Sequence, residues 1–176
     1  MGDYSVAFGI NDSDEVVGVS GEDENTPAFP FLWRRGNFVR LPSFGGNAFA
    51  AAINNRGHVV GWFRVVDTIH SWLYADRQST DIGTIPSVPI NGAPRIIAGA
   101  LNIFDDIVGT FLQDSNSGYG FAFLWSRGTM VDLNSFLPTN SGWVLYGATG
   151  INDLGQIVGD GTHNGLNRAF LLTPTP

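Results

Sequence analysis

A carboxylate and an imidazole lie three residues apart near the carboxyl-terminal end of the sequence, in Asp160 and His163. Such a pair can transfer protons in general acid–base catalysis if a third group orients the histidine. Together with Asp114, they are the candidate catalytic residues of a small hydrolase or lyase. Neither a Gly-x-Ser-x-Gly elbow nor a His-x-x-x-His spacing accompanies them, so sequence drift in a loop is the alternative interpretation.

The composition excludes several classes of chemistry. The chain has no cysteine and no lysine, which removes thiol nucleophiles, disulfides, cysteine-ligated metals and Schiff-base lysines. Its three histidines lie in different repeats and segments, which disfavours a histidine-based zinc site. Asp114 and Asn116 resemble the opening of a calcium loop, but no bidentate glutamate follows them. We therefore expect no cofactor, with a structural Ca²⁺ at Asp114 and Asn116 as the alternative.

Carboxylates, amides and aromatic rings in polar stretches favour binding over catalysis. The candidate ligand-binding residues are Asp23, Trp62, Asp114, Asn116, Tyr119, Trp143, Asp160 and His163. Planar hydrogen-bonding groups beside aromatic faces suit hydroxyl-rich ligands such as sugars, although acidic and Asn-rich stretches are also ordinary turn sequence. The sequence thus predicts a non-enzymatic module for a glycan or another polar small molecule.

Charge and hydropathy narrow the range of partners. The formal net charge is −7, and all nine cationic residues are arginine without a basic stripe, so nucleic acid is not an expected partner. No apolar run reaches membrane-spanning length, and membrane insertion is not expected. Residues 1–6 also lack the basic and apolar regions of a secretion signal, so none is expected in the chain as given.

Four repeats organise the chain. A pentapeptide of small residues, Ile or Leu, and Asn ends segment A as AFGIN (7–11), AAAIN (50–54), AGALN (98–102) and ATGIN (148–152). Segment B follows a tight turn, at 15–20, 58–63, 106–111 and 156–161. Segment C follows a polar loop, at 29–33, 70–74, 121–125 and 168–172. Segment D follows a second turn in three repeats only, at 38–44, 80–85 and 130–136. Short segments joined by tight turns predict antiparallel hairpins.

Four-stranded units at this period are typical of propeller blades. The sequence predicts an all-β fold, a small β-propeller of about fifteen strands in one domain, with blades at 1–46, 47–92, 93–140 and 141–176. Segment A is expected innermost because its Ala and Gly residues fit a crowded axis. A four-bladed ring is the simplest closure. Because the fourth blade lacks segment D, its unpaired edge at residues 169–173 makes a larger ring or a homo-oligomer the alternative, with Met1–Val6 as another cover for that edge.

The repeating unit A-x-[AG]-I-N-[ND]-x-G-x-[IV]-V-G, followed by x-A-F-L-W-x-x-G-x-M-x-D-L, resembles the HAF repeat of extracellular bacterial proteins. It is clearest at 148–159 with 168–172, and at 121–133. The histidine of the His-Ala-Phe signature is kept only as His70, with Phe29, Phe121 and Arg168 in its place elsewhere. The resemblance implies a propeller-like repeat fold and an extracellular or periplasmic location, but no activity.

The order A-B-C-D also predicts two different ends for the propeller. The short, uniform A–B and C–D turns lie at one end, and the longer, variable B–C loops and D-to-A crossings lie at the other. Variable loops on a rigid scaffold usually carry binding residues, so the site is expected at the second end. At the first end, the four repeated asparagines are expected to fix the A–B turns by bonding backbone groups two residues on. The alternative is a ring of amides that holds an ion or a water molecule.

Overall fold

A computed structural model describes residues 3–22, 28–42, 44, 47–83, 85, 93–113 and 120–175 of the chain. These residues form fifteen β-strands and one 3₁₀ helix at Leu133–Phe136. Blade 1 contains β1 (Tyr4–Ile10), β2 (Val16–Gly21), β3 (Phe29–Arg34) and β4 (Asn37–Arg40). Blade 2 contains β5 (Ala48–Ile53), β6 (Val59–Val65), β7 (Thr68–Ala75) and β8 (Gln78–Asp81). Blade 3 contains β9 (Arg95–Leu101), β10 (Ile107–Leu112), β11 (Phe121–Ser126) and β12 (Thr129–Asp132), and blade 4 contains β13 (Trp143–Ile151), β14 (Ile157–His163) and β15 (Leu166–Leu172).

Each blade is an antiparallel meander in chain order, as predicted. Blades 1 to 3 have four strands each and blade 4 has three, because β15 is the last strand of its sheet among the described residues. The segment A strands β1, β5, β9 and β13 lie at the start of each meander and contact one another in succession. The structure therefore confirms the all-β, propeller-type fold and the incomplete fourth blade.

The hydrophobic core lies between successive blades rather than within any one of them. One buried cluster joins blades 1 and 2, a second joins blades 2 and 3, and a third joins blades 3 and 4. Glycine in segment B allows the close approach that this packing needs. A Cβ on Gly61 would collide with the backbone oxygen of Phe49 and with the Trp72 ring. Each blade is thus stabilised by its neighbours, as in other repeat folds.

Three predicted boundaries are wrong. The segment D strands are only four residues long, and residues 133–136 of the third one form a 3₁₀ helix capped by the Asp132 carboxylate. The predicted polar loops at 64–69 and 160–167 are tight hairpins, with turns between β6 and β7 and between β14 and β15. In the second hairpin Asn164 and Gly165 both have positive φ, at 50° and 76°, which is the geometry that Asn-Gly favours in two-residue turns.

The first and last blades leave apolar side chains uncovered. Ile10 on blade 1 and Val158 and Leu171 on blade 4 are exposed, although their counterparts in the inner blades are largely buried. The described residues therefore form four successive blades without closing a four-bladed ring. Residues 4–6 pair with β2, so they do not cover the edge of β15. No helix in this part of the chain is long and apolar enough to span a membrane.

Candidate functional site

The largest cavity of the described chain lies between blades 3 and 4 and has a volume of about 640 Å³. Blade 3 and the segment before β11 contribute Thr110, Leu112 and Gly120, and blade 4 contributes Tyr146, Gly147, Asp160, Gly161, Asn167, Arg168 and Ala169. Several of these residues lie toward the ends of β10 and β14 that lead into the B–C connections. The cavity is thus at the end of the propeller where the sequence places the binding site.

The cavity opens where blade 4 departs from the repeat. The equivalent cross-strand pairs of segments A and B are Val6 with Val19, Phe49 with Trp62, Ile97 with Thr110, and Gly147 with Asp160. In blade 2 the two aromatic rings of this pair stack with centroids 4.1 Å apart and fill the space. In blade 4 a glycine and a short acidic side chain replace them. The substitution removes apolar volume and introduces a carboxylate in the same place.

A second irregularity of β13 supports this arrangement. Every segment A strand contains one register shift, but β13 contains two, and the additional one lies between Leu145 and Gly147. Tyr146 is the extra residue, and its hydroxyl lies 3.3 Å from the Thr162 hydroxyl. Bulges of this kind often re-aim a side chain beside a functional site. Here the bulge places a phenol on the cavity wall beside the acidic residue.

The cavity carries both an anion and a cation. Asp160 and Arg168 are exposed, and Arg168 Nη1 donates to the Asn167 carbonyl at 2.9 Å. Within the described part of the chain, no hydrogen bond or ion pair engages the Asp160 carboxylate. A ligand hydroxyl could therefore donate to Asp160 and accept from Arg168 or Tyr146, which are hydrogen-bonding types suited to a polar ligand.

The structure does not bring Asp160 and His163 together. The pairing of β14 with β15 is regular, and residues three positions apart on a regular strand project to opposite faces of the sheet. The His163 ring stacks on Trp143 with centroids 4.9 Å apart, and Trp143 also packs against the core between blades 3 and 4. Within the described chain these two rings stabilise the start of blade 4, and Trp143 does not present a free stacking surface on the side that His163 covers.

Trp62 lies at a different place from Asp160. It lines a cavity of about 290 Å³ together with Phe8, Phe49 and Ala51. This cavity is on blades 1 and 2 and its walls are apolar, because Trp62 and Phe49 stack on each other. The predicted aromatic and acidic candidates thus belong to two separate cavities rather than to one site.

Four predicted site residues fall outside the described residues: Asp23, Asp114, Asn116 and Tyr119. The predictions that involve them, including the calcium alternative and the catalytic role of Asp114, are not tested. Among the residues that the structure does describe, no group of three or more His, Cys, Asp and Glu side chains could hold a metal ion. Tyr146 and Thr110 are cavity residues that the sequence analysis missed, and the signal that could have found them is the glycine at position 147.

At the opposite end, the repeated asparagines do more than form turns. Each side-chain oxygen accepts from the backbone N–H two residues on, at 3.0 to 3.1 Å, which confirms the turn prediction. Each amide of the first three asparagines also donates to the backbone oxygen of the asparagine in the next blade. These bonds are Asn11 to Asn54 at 3.0 Å, Asn54 to Asn102 at 2.9 Å, and Asn102 to Asn152 at 3.4 Å. We call this series the asparagine latch.

The latch between blades 2 and 3 is reinforced by charge. His58 replaces the acidic or amide residue found at this position in the other repeats. Its Nδ1 lies 2.8 Å from Asp105 Oδ1, and Arg56 Nη1 lies 3.2 Å from Asp105 Oδ2. Asn54 Nδ2 also donates to Asp105, at 3.0 Å. Because Asp105 belongs to the next blade, this cluster joins the two blades and is structural in character.

Comparison with known proteins shows the fold alone. No family model matches the chain, and no curated protein matches it. A solved structure of similar fold is TolB from Acinetobacter baumannii, a β-propeller, with a TM-score of 0.57 and 13% sequence identity. The similarity covers 98% of this chain but 44% of the TolB chain. The chain therefore spans less than half the length of this structural neighbour, and the likeness supports a propeller-type architecture.

Proposed function

We propose that the protein is a non-enzymatic binding module that holds a hydroxyl-rich ligand, such as a sugar, in the cavity between blades 3 and 4. The replacement of the stacked pair Phe49–Trp62 by Gly147 and Asp160 carries this proposal. It creates space and supplies an unengaged carboxylate in the same step. The HAF-like repeat pattern supports a location outside the cytoplasm, which is part of the same proposal.

Binding is favoured over catalysis because the described residues do not form the acid–base pair that a hydrolase or lyase would use. His163 is engaged by Trp143 rather than by Asp160. The polar groups of the cavity are instead of mixed type, with a carboxylate, a guanidinium and hydroxyls. Such a mixture can satisfy several neighbouring hydroxyl groups of one ligand.

A glycan array tests the proposal, followed by titration calorimetry with the best-bound glycan. We expect Asp160→Asn to weaken binding about 10- to 100-fold, because hydrogen bonds to charged groups contribute about 1.5–3 kcal/mol. Asp67→Asn is the matched control. It makes the same charge change on the β6–β7 hairpin, where the side chain is 79% exposed and outside the cavity.

Three results would count against the proposal. Absence of any bound glycan on a broad array would remove the hydroxyl-rich ligand. Equal binding by wild type and Asp160→Asn would move the site elsewhere. Release of reducing sugar from a bound glycan, lost in Asp160→Asn but kept in Asp67→Asn, would favour the hydrolase alternative.

A further inference from the structure

The blade-to-blade interface has a constant pattern inside the molecule. An Ile or Leu at the end of segment A packs against a Val of segment B and a Leu of segment C in the preceding blade. Ile53 contacts the cluster of Val17 and Leu32, and Leu101 contacts the cluster of Val60 and Leu73. Ile151 packs in the same way against the cluster of Val108, beside Leu124. All three interfaces therefore have one donor face and one acceptor face of fixed composition.

The two end blades each present one half of this interface to solvent. On blade 1, Ile10 is 66% exposed, whereas the equivalent Ile53 is 9% exposed. On blade 4, Val158 and Leu171 are 45% and 61% exposed, whereas Val17 and Leu32 are 0% and 2% exposed. The uncovered surfaces are complementary, because one carries the residue that the other lacks.

The asparagine latch is incomplete at the same two ends. The Asn152 amide donates to Gln156 Oε1 within its own turn, at 2.8 Å. In each inner blade the corresponding amide also reaches the next blade. The backbone oxygen of Asn11 is the group that would receive it, since Asn54, Asn102 and Asn152 all accept through this atom. The polar half of the interface thus matches as well as the apolar half.

We propose that a second copy of this chain covers these surfaces, with its blade 1 packed on blade 4 of the first copy. The contact repeats the geometry of the inner interfaces: Ile10 of the second copy packs against Val158 and Leu171, and Asn152 donates to the Asn11 carbonyl of that copy. Because the two faces differ, the association is head to tail and adds blades in register. It uses the face of blade 4 rather than the edge of β15.

One feature of this interface weakens the association in a predictable way. Between blades 1 and 2, the Asn55 amide donates to the Asp12 carboxylate at 2.7 Å, and its oxygen accepts from the Asp12 N–H. The corresponding contact between copies pairs Asp153 with Asp12, which places two carboxylates together. Asp153→Asn recreates the amide–carboxylate pair, and the amide oxygen can still accept the Ile103 N–H that Asp153 accepts at 2.9 Å. This variant should associate more tightly than wild type.

Light scattering coupled to size-exclusion chromatography tests the proposal over about two orders of magnitude in protein concentration. Wild type should rise from the mass of one chain toward that of two or more. Ile10→Glu and Leu171→Glu, each altering one face, should both remain monomeric. Both positions are exposed in the single chain, so folding should be preserved and is checked by circular dichroism.

An equimolar mixture of these two variants provides the decisive measurement. Ile10→Glu keeps a normal blade 4 and Leu171→Glu keeps a normal blade 1, so the mixture should form a two-chain species that neither variant forms alone. Val66→Glu is the matched control, since Val66 is 82% exposed on an inner blade, and it should associate like wild type. A wild type that stays monomeric throughout, association unaffected by the face variants, or a mixture that stays monomeric would each overturn the proposal.

Discussion

Asn54 offers the sharpest test of the asparagine latch. Its side chain is buried and makes four hydrogen bonds. The oxygen accepts from the N–H groups of Arg56 and His58, both at 3.0 Å. The amide donates across the interface to the Asn102 carbonyl at 2.9 Å and to the Asp105 carboxylate at 3.0 Å. Two bonds therefore fix the turn, and two join blade 2 to blade 3.

The expected cost of losing this side chain follows from that division. A hydrogen bond contributes about 0.5–1.5 kcal/mol net, and more when the partner is charged or left buried. Asn54→Ala loses all four bonds, and we expect the free energy of unfolding to fall by about 4 kcal/mol. Asn152→Ala loses the same turn bonds at an exposed position without a following blade, and water replaces them, so about 1 kcal/mol is expected there.

Asn54→Asp separates the latch from the turn. An aspartate can accept the same two backbone N–H groups, so a residue that only forms a turn would tolerate it. In the structure, however, the new carboxylate would face the Asn102 carbonyl and the Asp105 carboxylate instead of donating to them. We therefore expect a loss of about 2 kcal/mol or more from two broken bonds and the added repulsion.

Urea denaturation followed by circular dichroism measures all three variants under the same conditions. Asn152→Asp is the matched control for the aspartate substitution and should lie close to wild type. If Asn54→Asp were within about 0.5 kcal/mol of wild type, the scatter typical of a surface substitution, the inter-blade role of the amide would be refuted and only the turn would remain.

Two further substitutions probe the packing between strands and blades. Gly61→Ala should reduce the unfolding free energy by about 3 kcal/mol because its Cβ would meet the β5 backbone and the Trp72 ring; Gly36→Ala, which has φ of 77° and open space around it, should cost only about 1 kcal/mol. Ser71→Ala should cost about 2 kcal/mol because the buried hydroxyl donates to one β9 carbonyl at 2.7 Å and accepts from a β9 N–H at 2.8 Å. Alanine already occupies this position in blades 3 and 4, so the loss would reflect the hydrogen bonds alone, and unchanged denaturation midpoints would contradict both assignments.

Strand order was predictable from the sequence because it depends on local signals. Gly in segment B, Asn at the turn and short apolar runs recur in each repeat, and each acts within a few residues of its own position. The same local signals misplaced the hairpin at Asn164 and Gly165, where an Asn-Gly turn was present in the sequence but was included in a longer loop. Positive φ at both residues shows that this signal was sufficient.

The candidate site was only partly predictable. Asp160 was identified because it departs from the repeat, and it does line the largest cavity of the described chain. Its supposed partner His163 was assigned by proximity in sequence, which is a poor guide on a strand because neighbouring side chains alternate between faces. Tyr146 was missed because a bulge in β13 is not encoded by any residue pattern that the repeat alignment shows.

The sequence by itself determined four repeats, their strands, the absence of a fifteenth partner strand in blade 4 and the exclusion of thiol and lysine chemistry. These properties depend on residue type and spacing along the chain. Only the tertiary structure decided how the repeats join: the asparagine amides reach the next blade, Asp160 meets an empty volume left by Gly147, and Ile10 and Leu171 remain exposed at the two ends. The physical reason is that each depends on a surface supplied by another blade, and that surface exists only after the blades have packed.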